Sequence, residues 1–229
     1  MRVSLSQGVV REDLQFFPAA LIMTERSFDI YPPMARLPAH TEPGQIRANI
    51  LSAAMLQFTG RGYFNTSVPE LARAAQVSVG SIYHHFKDKE DVARALYQSL
   101  MERLQRELAD IAAAHEGAHD RCRAIMAMLF AMTETEREAM EFMLYAKHRE
   151  FLPDEPPICS SKPFETMRGF VEEGMTNGEI RPMDAMIATS FLFGGAIRMI
   201  TARLDGVLDG PLTEQLDAAW ACGWRAVAA

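Results

Sequence analysis

Two short helical segments, each begun by a hydroxyl cap, constrain this chain more than any other feature. Ser67 and Glu70 have the spacing of a capping box, in which two side chains satisfy free backbone donors at the start of a helix. Ser78 can cap a second helix in a similar way. The pattern predicts helices over about 68–74 and 79–85, joined by a tight turn that lets them cross.

The apolar residues of this pair predict a small shared core, and its polar residues predict an exposed face. Leu71, Val77 and Ile82 are spaced so that two crossed helices bury them together, and Ala72 is small enough for their closest approach. The second helix carries too many hydroxyl and imidazole groups to be buried on all sides. Such groups suit base edges and phosphate oxygens, so the pair is interpreted as a helix-turn-helix. The candidate DNA-contacting residues are Ser67, Ser78, Val79, Gly80, Ser81, Tyr83, His84 and Lys89.

The pair ends in a Tyr-x-x-Phe-x-x-Lys pattern formed by Tyr83, Phe86 and Lys89. Lys89 opens the next helix, where we expect its ammonium to add to the positive helix end and clamp a phosphate. With this ending and the pattern from Arg47 onward, about sixty residues over 43–103 resemble the TetR family of bacterial transcription regulators. The resemblance implies a homodimer whose last two helices form a four-helix bundle. It also implies that a ligand in the C-terminal domain spreads the two DNA-reading domains.

Gln76 stands at the turn position where the resemblance implies a glycine. Glycine adopts a positive φ at little cost, whereas another residue in the left-handed region is strained by about 1–2 kcal/mol. If Gln76 adopts the same geometry, it carries this strain.

From residue 43 onward the sequence predicts an all-α fold. Apolar residues recur at spacings of three and four, glycine and proline separate the segments, and no stretch alternates for long enough to form a sheet. Residues 43–103 are interpreted as the helix-turn-helix DNA-binding domain, and residues 104–229 as a helical domain for ligand sensing and dimerisation. About nine helices are expected, over approximately 43–60, 68–74, 79–85, 89–115, 119–133, 136–150, 160–177, 182–206 and 213–227.

The charge distribution fits a DNA-reading domain on an acidic body. The net charge is -7, but residues 44–94 carry a net +2 and residues 95–229 a net -8. Because charge is screened within about 8–10 Å at physiological salt, the local value governs attraction to phosphate. The three cysteines are far apart and form no metal-binding pair, which fits a reducing cytoplasm. No apolar run of membrane length is evident, so a cytoplasmic protein without a membrane partner is expected.

No motif of enzymatic or metal chemistry stands out. No nucleophile elbow and no Asp-Asp-x-x-Asp run occurs, so neither an enzyme nor a cofactor is predicted. His84 and His85 are adjacent on a helix and point about 100° apart, which prevents them from chelating one metal ion. The predicted function is a repressor released from a palindromic operator by a small, largely apolar inducer. The alternatives are a transcriptional activator and a helical small-molecule-binding protein that does not read DNA.

Methionine and aromatic residues crowd the helices that follow residue 119. Methionine is flexible and polarisable, so such an interior accommodates varied apolar guests, although plain core packing is the alternative. Tyr145 and His148 supply polar handles, and His148 equally fits a solvated helix end. The candidate pocket residues are Met126, Phe130, Met143, Tyr145, His148, Phe164 and Met167.

The segment 191–199 is apolar and contains two adjacent glycines in a predicted helix. Each glycine costs about 1 kcal/mol in helix propensity, which the close approach of a partner helix would offset. The segment is interpreted as a dimer seam, and a buried helix within one chain is the alternative. The candidate interface residues are Phe191, Gly194, Gly195, Arg198, Trp220 and Trp224.

Residues 1–42 show neither helical nor strand periodicity over a useful length. One interpretation is an N-terminal extension without regular structure, whose apolar stretch 16–23 packs on the sensor domain or on a partner. The other is that translation starts at Met34, so that residues 1–33 do not belong to the natural protein.

Overall fold

The computed structural model describes residues 43–229, which fold into ten α-helices. This confirms the all-α class expected from the sequence. The predictions for residues 1–42 lie outside the described residues. The helices are α1 Pro43–Gly60, α2 Val68–Ala75, α3 Val79–His85, α4 Lys89–Ala114, α5 Gly117–Thr135, α6 Arg137–Tyr145, α7 His148–Phe151, α8 Lys162–Thr176, α9 Ala185–Leu204 and α10 Leu216–Arg225.

Helices α1 to α3 and the first half of α4 enclose one small core, called the reading head below. Leu71 of α2 and Ile82 of α3 are both fully buried, as their spacing predicts. Ile50 of α1 and Leu96 of α4 are equally buried and belong to the same apolar cluster. Val77, in the turn, is only partly buried. The reading head therefore holds α2 and α3 at a fixed crossing.

Helix α4 joins the reading head to the rest of the protein, called the body below. Its stripe of leucines at Leu96, Leu100, Leu104 and Leu108 is buried along its length. The helix runs without a break through residue 103, where the sequence predicts the domain boundary. Helix α1 also packs against α6 of the body, so the two parts share a second contact.

The body packs α5, α8, α9 and α10 closely, and two glycines mark the nearest approaches. A Cβ added to Gly174 of α8 would lie 2.5 Å from the Cβ of Ala118 on α5. A Cβ added to Gly223 of α10 would lie 2.5 Å from the carbonyl oxygen of Leu192 on α9. Neither helix pair can hold its spacing with a larger residue at the glycine.

One predicted helix is two helices in the structure. The sequence predicts a single helix over 136–150, but α6 ends at Tyr145 and α7 begins at His148. Ala146 between them has extended backbone, with φ −66° and ψ 122°, and its carbonyl accepts a hydrogen bond from the His148 N–H at 2.8 Å. Since neither glycine nor proline marks this break, local sequence does not reveal it.

The turn between α2 and α3 has the left-handed geometry that the resemblance implies. Gln76 has φ 57° and ψ 38°, and it is the single non-glycine residue with positive φ among residues 43–229. Its N–H donates to Arg73 O at 3.2 Å, and the Val77 N–H donates to Ala72 O at 3.0 Å. The turn therefore keeps its hydrogen bonds at the expense of strain in one residue.

We expect the Gln76→Gly variant to be more stable than the wild type by about 1 kcal/mol, because glycine removes the left-handed strain. Urea unfolding at a fixed protein concentration measures this difference. Gln57→Gly is the control, because Gln57 lies within α1 and should lose about 1 kcal/mol there. Destabilisation of both variants by the same amount would contradict strain at Gln76.

Candidate nucleic-acid interface and sensor site

The start of α2 is fixed by a complete capping box. The Ser67 N–H donates to Glu70 Oε2 at 2.8 Å, and the Glu70 N–H donates to Ser67 Oγ at 3.4 Å. Ser67 Oγ also donates to the same carboxylate at 2.7 Å. These bonds from Ser67 lower the pKa of Glu70 to about 2, and the nearby Arg61 guanidinium adds to the effect. Ser67, a predicted DNA contact, is exposed but already bonded to Glu70.

Helix α3 presents most of its predicted contact residues on one exposed surface. Ser78 caps the helix by accepting from the Ser81 N–H at 2.9 Å. Ile82 and Phe86 are buried and hold the opposite side of the helix in the core. The exposed residues are Ser78, Val79, Gly80, Tyr83 and His84, while Ser81 is half-buried. We call this set, Ser78 to Ser81 with Tyr83 and His84, the α3 face.

Lys89 has a different partner from the one expected. Its ammonium donates to the carbonyl oxygens of Tyr63 and Thr66, both at 2.9 Å, and lies 4.1 Å from the centre of the Tyr63 ring. Burial lowers the pKa of this ammonium. Asp88 caps α4 by accepting from the Asp91 N–H at 2.8 Å. The structure thus uses Lys89 to tie the α1–α2 loop to α4, rather than to extend the positive end of α4 outward.

The loop that Lys89 holds also contacts the body through an aromatic stack that sequence reasoning missed. The Tyr63 ring lies 4.2 Å from the ring of Phe151 on α7, nearly parallel at 13°. Phe64 meets the same Phe151 ring edge-on at 6.4 Å. The sequence hints at this stack only through the presence of an aromatic residue, Tyr63, shortly before the capping box. Nothing in the local sequence identifies Phe151 as its partner. The stack links the reading head to the end of α7.

His148 is half-buried at the start of α7, where its ring packs against an aromatic cluster. Its ring centre is 4.8 Å from that of Phe142, 5.2 Å from that of Tyr97 and 5.7 Å from that of Phe151. Its Nε2 is buried without a hydrogen-bond partner in the structure. Burial lowers the pKa of His148 to about 4, so the imidazole is neutral at pH 7. The buried Nε2 corrects the expectation of a fully solvated histidine at this helix end.

The other predicted pocket residues separate into an interior set and one surface residue. Met126, Phe130, Met143 and Met167 are all at most 7% exposed and belong to one apolar cluster. Phe164 is half-buried. Tyr145 is 43% exposed, and its hydroxyl donates to the Asp205 carboxylate at 2.7 Å. Burial and this carboxylate raise the pKa of Tyr145 to about 12, and the side chain faces α9 instead of the interior set.

Sequence analysis also did not predict an ion pair that contains a buried arginine. Arg103 of α4 bonds through both terminal nitrogens to the carboxylate of Glu136, the residue between α5 and α6. The signal in the sequence is the position of Arg103, seven residues after Leu96 on the same face of α4.

The predicted seam is partly exposed and partly internal. Phe191 is 64% exposed, and a Cβ at Gly194 or Gly195 would meet no atom within 4 Å. Arg198 is exposed on the same helix. Trp220 corrects the expectation, because it is buried and its indole N–H donates to His119 Nε2 at 3.1 Å within the chain. Trp224 is half-buried and stacks on Trp220, with ring centres 5.3 Å apart.

Helix α9 also corrects the expectation that no segment has membrane-spanning composition. Within the part of the chain that the structure describes, Ala185–Leu204 is the one helix long and apolar enough to cross a membrane, and 33% of its most apolar stretch is buried. A core helix of a soluble protein passes the same test, so this composition is weak evidence. No group of three or more His, Cys, Asp or Glu residues that could hold a metal ion occurs within residues 43–229.

Two capped helices that cross at a left-handed turn, the second with an exposed polar face, define a helix-turn-helix protein. The family model described as bacterial regulatory proteins, tetR family, matches residues 50–96. Over these residues the chain matches the DNA-binding region of the TetR family.

Two relatives align with a longer part of the chain than the reading head. The HTH-type transcriptional regulator HbdR of Aromatoleum sp. (strain CIB) is 31% identical over 94 residues, which is 41% of each chain. The match therefore spans about two fifths of that relative. The fatty acid metabolism regulator protein of Bacillus subtilis (strain 168) is 28% identical over 163 residues, 66% of this chain and 80% of the relative.

Among solved structures, the transcriptional regulator FadR from Bacillus subtilis in complex with stearoyl-CoA has a TM-score of 0.65 at 21% identity. The superposition covers 76% of this chain and 96% of that one. At this identity the likeness supports the fold alone.

Proposed function

We propose that this protein is a transcriptional repressor that binds a palindromic operator as a homodimer and is released by a small, largely apolar molecule. The observation that carries the proposal is the α3 face, a polar surface held outward by the buried Ile82 and Phe86. Exposed hydroxyl and imidazole groups on a short helix suit the major groove, where base edges offer donors and acceptors. A protein that reads DNA acts in the cytoplasm of a bacterium.

Helices α9 and α10 support the proposed dimer seam. The exposed side of α9 carries Ile187 and Phe191, which are 51% and 64% exposed, next to the two open glycines Gly194 and Gly195. A groove between α9 and α10 continues this surface and is lined by Phe191, Leu192, Gly195, Ala196, Met199, Ala218, Ala219, Cys222 and Gly223. A second copy is the fitting occupant, because a two-fold axis brings the same apolar patch onto itself and lets the glycines approach closely.

We expect Gly194→Glu and Gly195→Glu each to raise the dimer dissociation constant by about tenfold. Each variant would place two carboxylates, one from each protomer, in a dry interface. A loss of about 1.4 kcal/mol corresponds to this factor. Analytical ultracentrifugation across a dilution series measures the constant. Gly169→Glu is the matched control, since Gly169 is also a helical glycine with open space but lies on α8. An unchanged dissociation constant in both seam variants would show that α9 does not form the interface.

The dimer should read two half-sites whose centres lie about 34–36 Å apart, one helical turn of DNA, or a multiple of this. The operator is then an inverted repeat, because the two-fold axis of the protein coincides with that of the DNA. The exposed lysine and arginine residues of the reading head supply the sequence-independent attraction to phosphate.

The proposed effector is an amphiphile with a long apolar part. The interior set of Met126, Phe130, Met143 and Met167 offers flexible apolar walls. A solved structure with the same fold is bound to stearoyl-CoA, which has such a chain. The contact of α6 with α1 and the stack of Tyr63 on Phe151 support transmission from this interior to the reading head.

The test is a fluorescence anisotropy titration with a labelled duplex from the region upstream of the protein's own gene, centred on an inverted repeat. We expect binding at least a thousandfold tighter than to a scrambled duplex at the same salt, and release when stearoyl-CoA is added. Equal affinity for both duplexes would overturn the DNA-reading function. Tight binding that no acyl-CoA relieves would overturn this class of effector.

A further inference from the structure

Arg103 places a positive charge inside the apolar face of α4. It follows Leu96 by seven residues and Leu100 by three, so it lies on the side of α4 that the body covers. The residue is 6% exposed. Arginine is almost never this buried unless it is paired, and Arg103 pairs with Glu136.

Glu136 lies at the junction of α5 and α6. It is the single residue between the end of α5 at Thr135 and the start of α6 at Arg137. Its side chain makes no capping bond to the first turn of α6, because both carboxylate oxygens accept from Arg103. One ion pair therefore fixes the α5–α6 junction onto α4.

The two partners are unequally buried. The side chain of Arg103 is 7% exposed, whereas that of Glu136 is 26% exposed. Glu136 can turn into water, where its charge is solvated, but Arg103 cannot leave without exposing the apolar face of α4. If the pair separates, Arg103 stays inside and its terminal nitrogens can bind another anion.

A buried pair of this kind contributes little net stability, because loss of hydration offsets the attraction, and apolar residues of similar volume often serve as well. The planar guanidinium binds any carboxylate or phosphate through the same two parallel bonds. The site is thus suited to exchange of one anion for another.

Movement at Glu136 would reach the reading head through α6. This helix begins at the residue after Glu136 and packs against α1. Its buried residue Met143 belongs to the interior set, and Met140 lies in the same apolar cluster. A change at the first turn of α6 would therefore alter both the interior and the contact with α1.

We propose that Arg103 binds the negatively charged head group of the effector, a carboxylate or a phosphate, and that this group displaces Glu136. The inference rests on the proposed ligand-released function and names the chemistry that triggers it. The apolar chain of the effector lies among Met126, Phe130 and Met143. Displaced Glu136 turns to solvent, the start of α6 leaves α4, and α6 shifts against α1.

Calorimetric titration of the full chain with dodecanoate, dodecyl phosphate and dodecanol, below their aggregation concentrations, tests the proposal. We expect the wild type to bind at least one of the two anions more than tenfold tighter than dodecanol, and the tighter anion identifies a carboxylate or a phosphate source. Glu136→Gln should bind that anion about tenfold tighter still, because the internal competitor has lost its charge. The double variant Arg103→Met/Glu136→Gln removes both charges and should bind the anion and dodecanol equally.

The matched control is Arg203→Met/Glu134→Gln, which removes a second two-bond ion pair, between α9 and α5, two residues from Glu136. It should keep the preference for the anion. The proposal is overturned if the wild type binds neither anion, if it binds dodecanol as tightly, or if the Arg103 double variant keeps the preference. Anisotropy with the operator duplex separates a failure of this inference from a failure of the proposed function. If the protein binds the operator specifically but shows no preference for an anion, this inference alone is overturned. If it binds the operator no better than other DNA, the proposed function is overturned.

Discussion

The Tyr83→Ala variant is expected to bind duplex DNA of every sequence about 100-fold more weakly than the wild type. Tyr83 is 55% exposed on the α3 face, and the buried Ile82 and Phe86 fix its backbone. A phenolic hydroxyl at this place suits a phosphate oxygen, and such contacts position the helix without reading sequence. Loss of about 1.4 kcal/mol in each protomer is tenfold, and a dimer loses it twice.

Fluorescence anisotropy over a series of salt concentrations measures this effect. Tyr83 carries no charge, so the slope of log affinity against log salt should stay unchanged while the affinity falls. The control is Tyr145→Ala, which removes another exposed tyrosine that lies on α6 and bonds to Asp205 of the body. Equal affinity of wild type and Tyr83→Ala for a random duplex would show that α3 does not enter the groove as assigned.

The reading head was predictable because its determinants are local in sequence. Ser67 with Glu70 and Ser78 with Ser81 each act within three residues, and they place the starts of α2 and α3 where the sequence puts them. Leu71 and Ile82 bury themselves through spacing alone. The left-handed turn at Gln76 was implied by the family resemblance, which places a glycine at this position.

The body was less predictable because its determinants join distant residues. Tyr63 and Phe151 stack across 88 positions of sequence, and Trp220 bonds to His119 across 101 positions. Sequence analysis assigned Trp220 to a dimer seam. Helical spacing alone does not distinguish an exposed indole from one that bonds within its own chain. His148 likewise has the pattern of a helix end, and only the fold shows that its ring contacts Phe142 and Tyr97.

The sequence also did not reveal the helix junctions through which a change in the body would reach the reading head. A break between α6 and α7 without glycine or proline depends on tertiary packing, so periodicity runs through it. Arg103 carries a signal, a charge within an apolar stripe, but the choice of Glu136 as partner requires the fold. Helix period predicts which face is buried, and it does not predict which buried groups meet.

The Gly174→Ala variant is expected to lose about 3 kcal/mol of unfolding free energy, because overpacking of a close helix contact is strongly destabilising. The new Cβ would lie 2.5 Å from the Cβ of Ala118 and 2.9 Å from Cδ1 of Ile180. Ile180 can rotate its terminal methyl, but Ala118 has no rotamer to change, so α5 and α8 must separate. The usual gain of about 1 kcal/mol from glycine to alanine in a helix does not offset this.

Urea unfolding at fixed protein concentration tests the prediction with two further variants. Gly169→Ala, five residues earlier on α8 where a Cβ meets nothing within 4 Å, should gain about 1 kcal/mol. Ala118→Gly combined with Gly174→Ala removes the colliding Cβ from the other helix and should recover most of the lost stability, which would show as strong coupling between the two sites. Equal gains for Gly174→Ala and Gly169→Ala, or no recovery in the double variant, would mean that Ala118 and Gly174 do not set the spacing of α5 and α8.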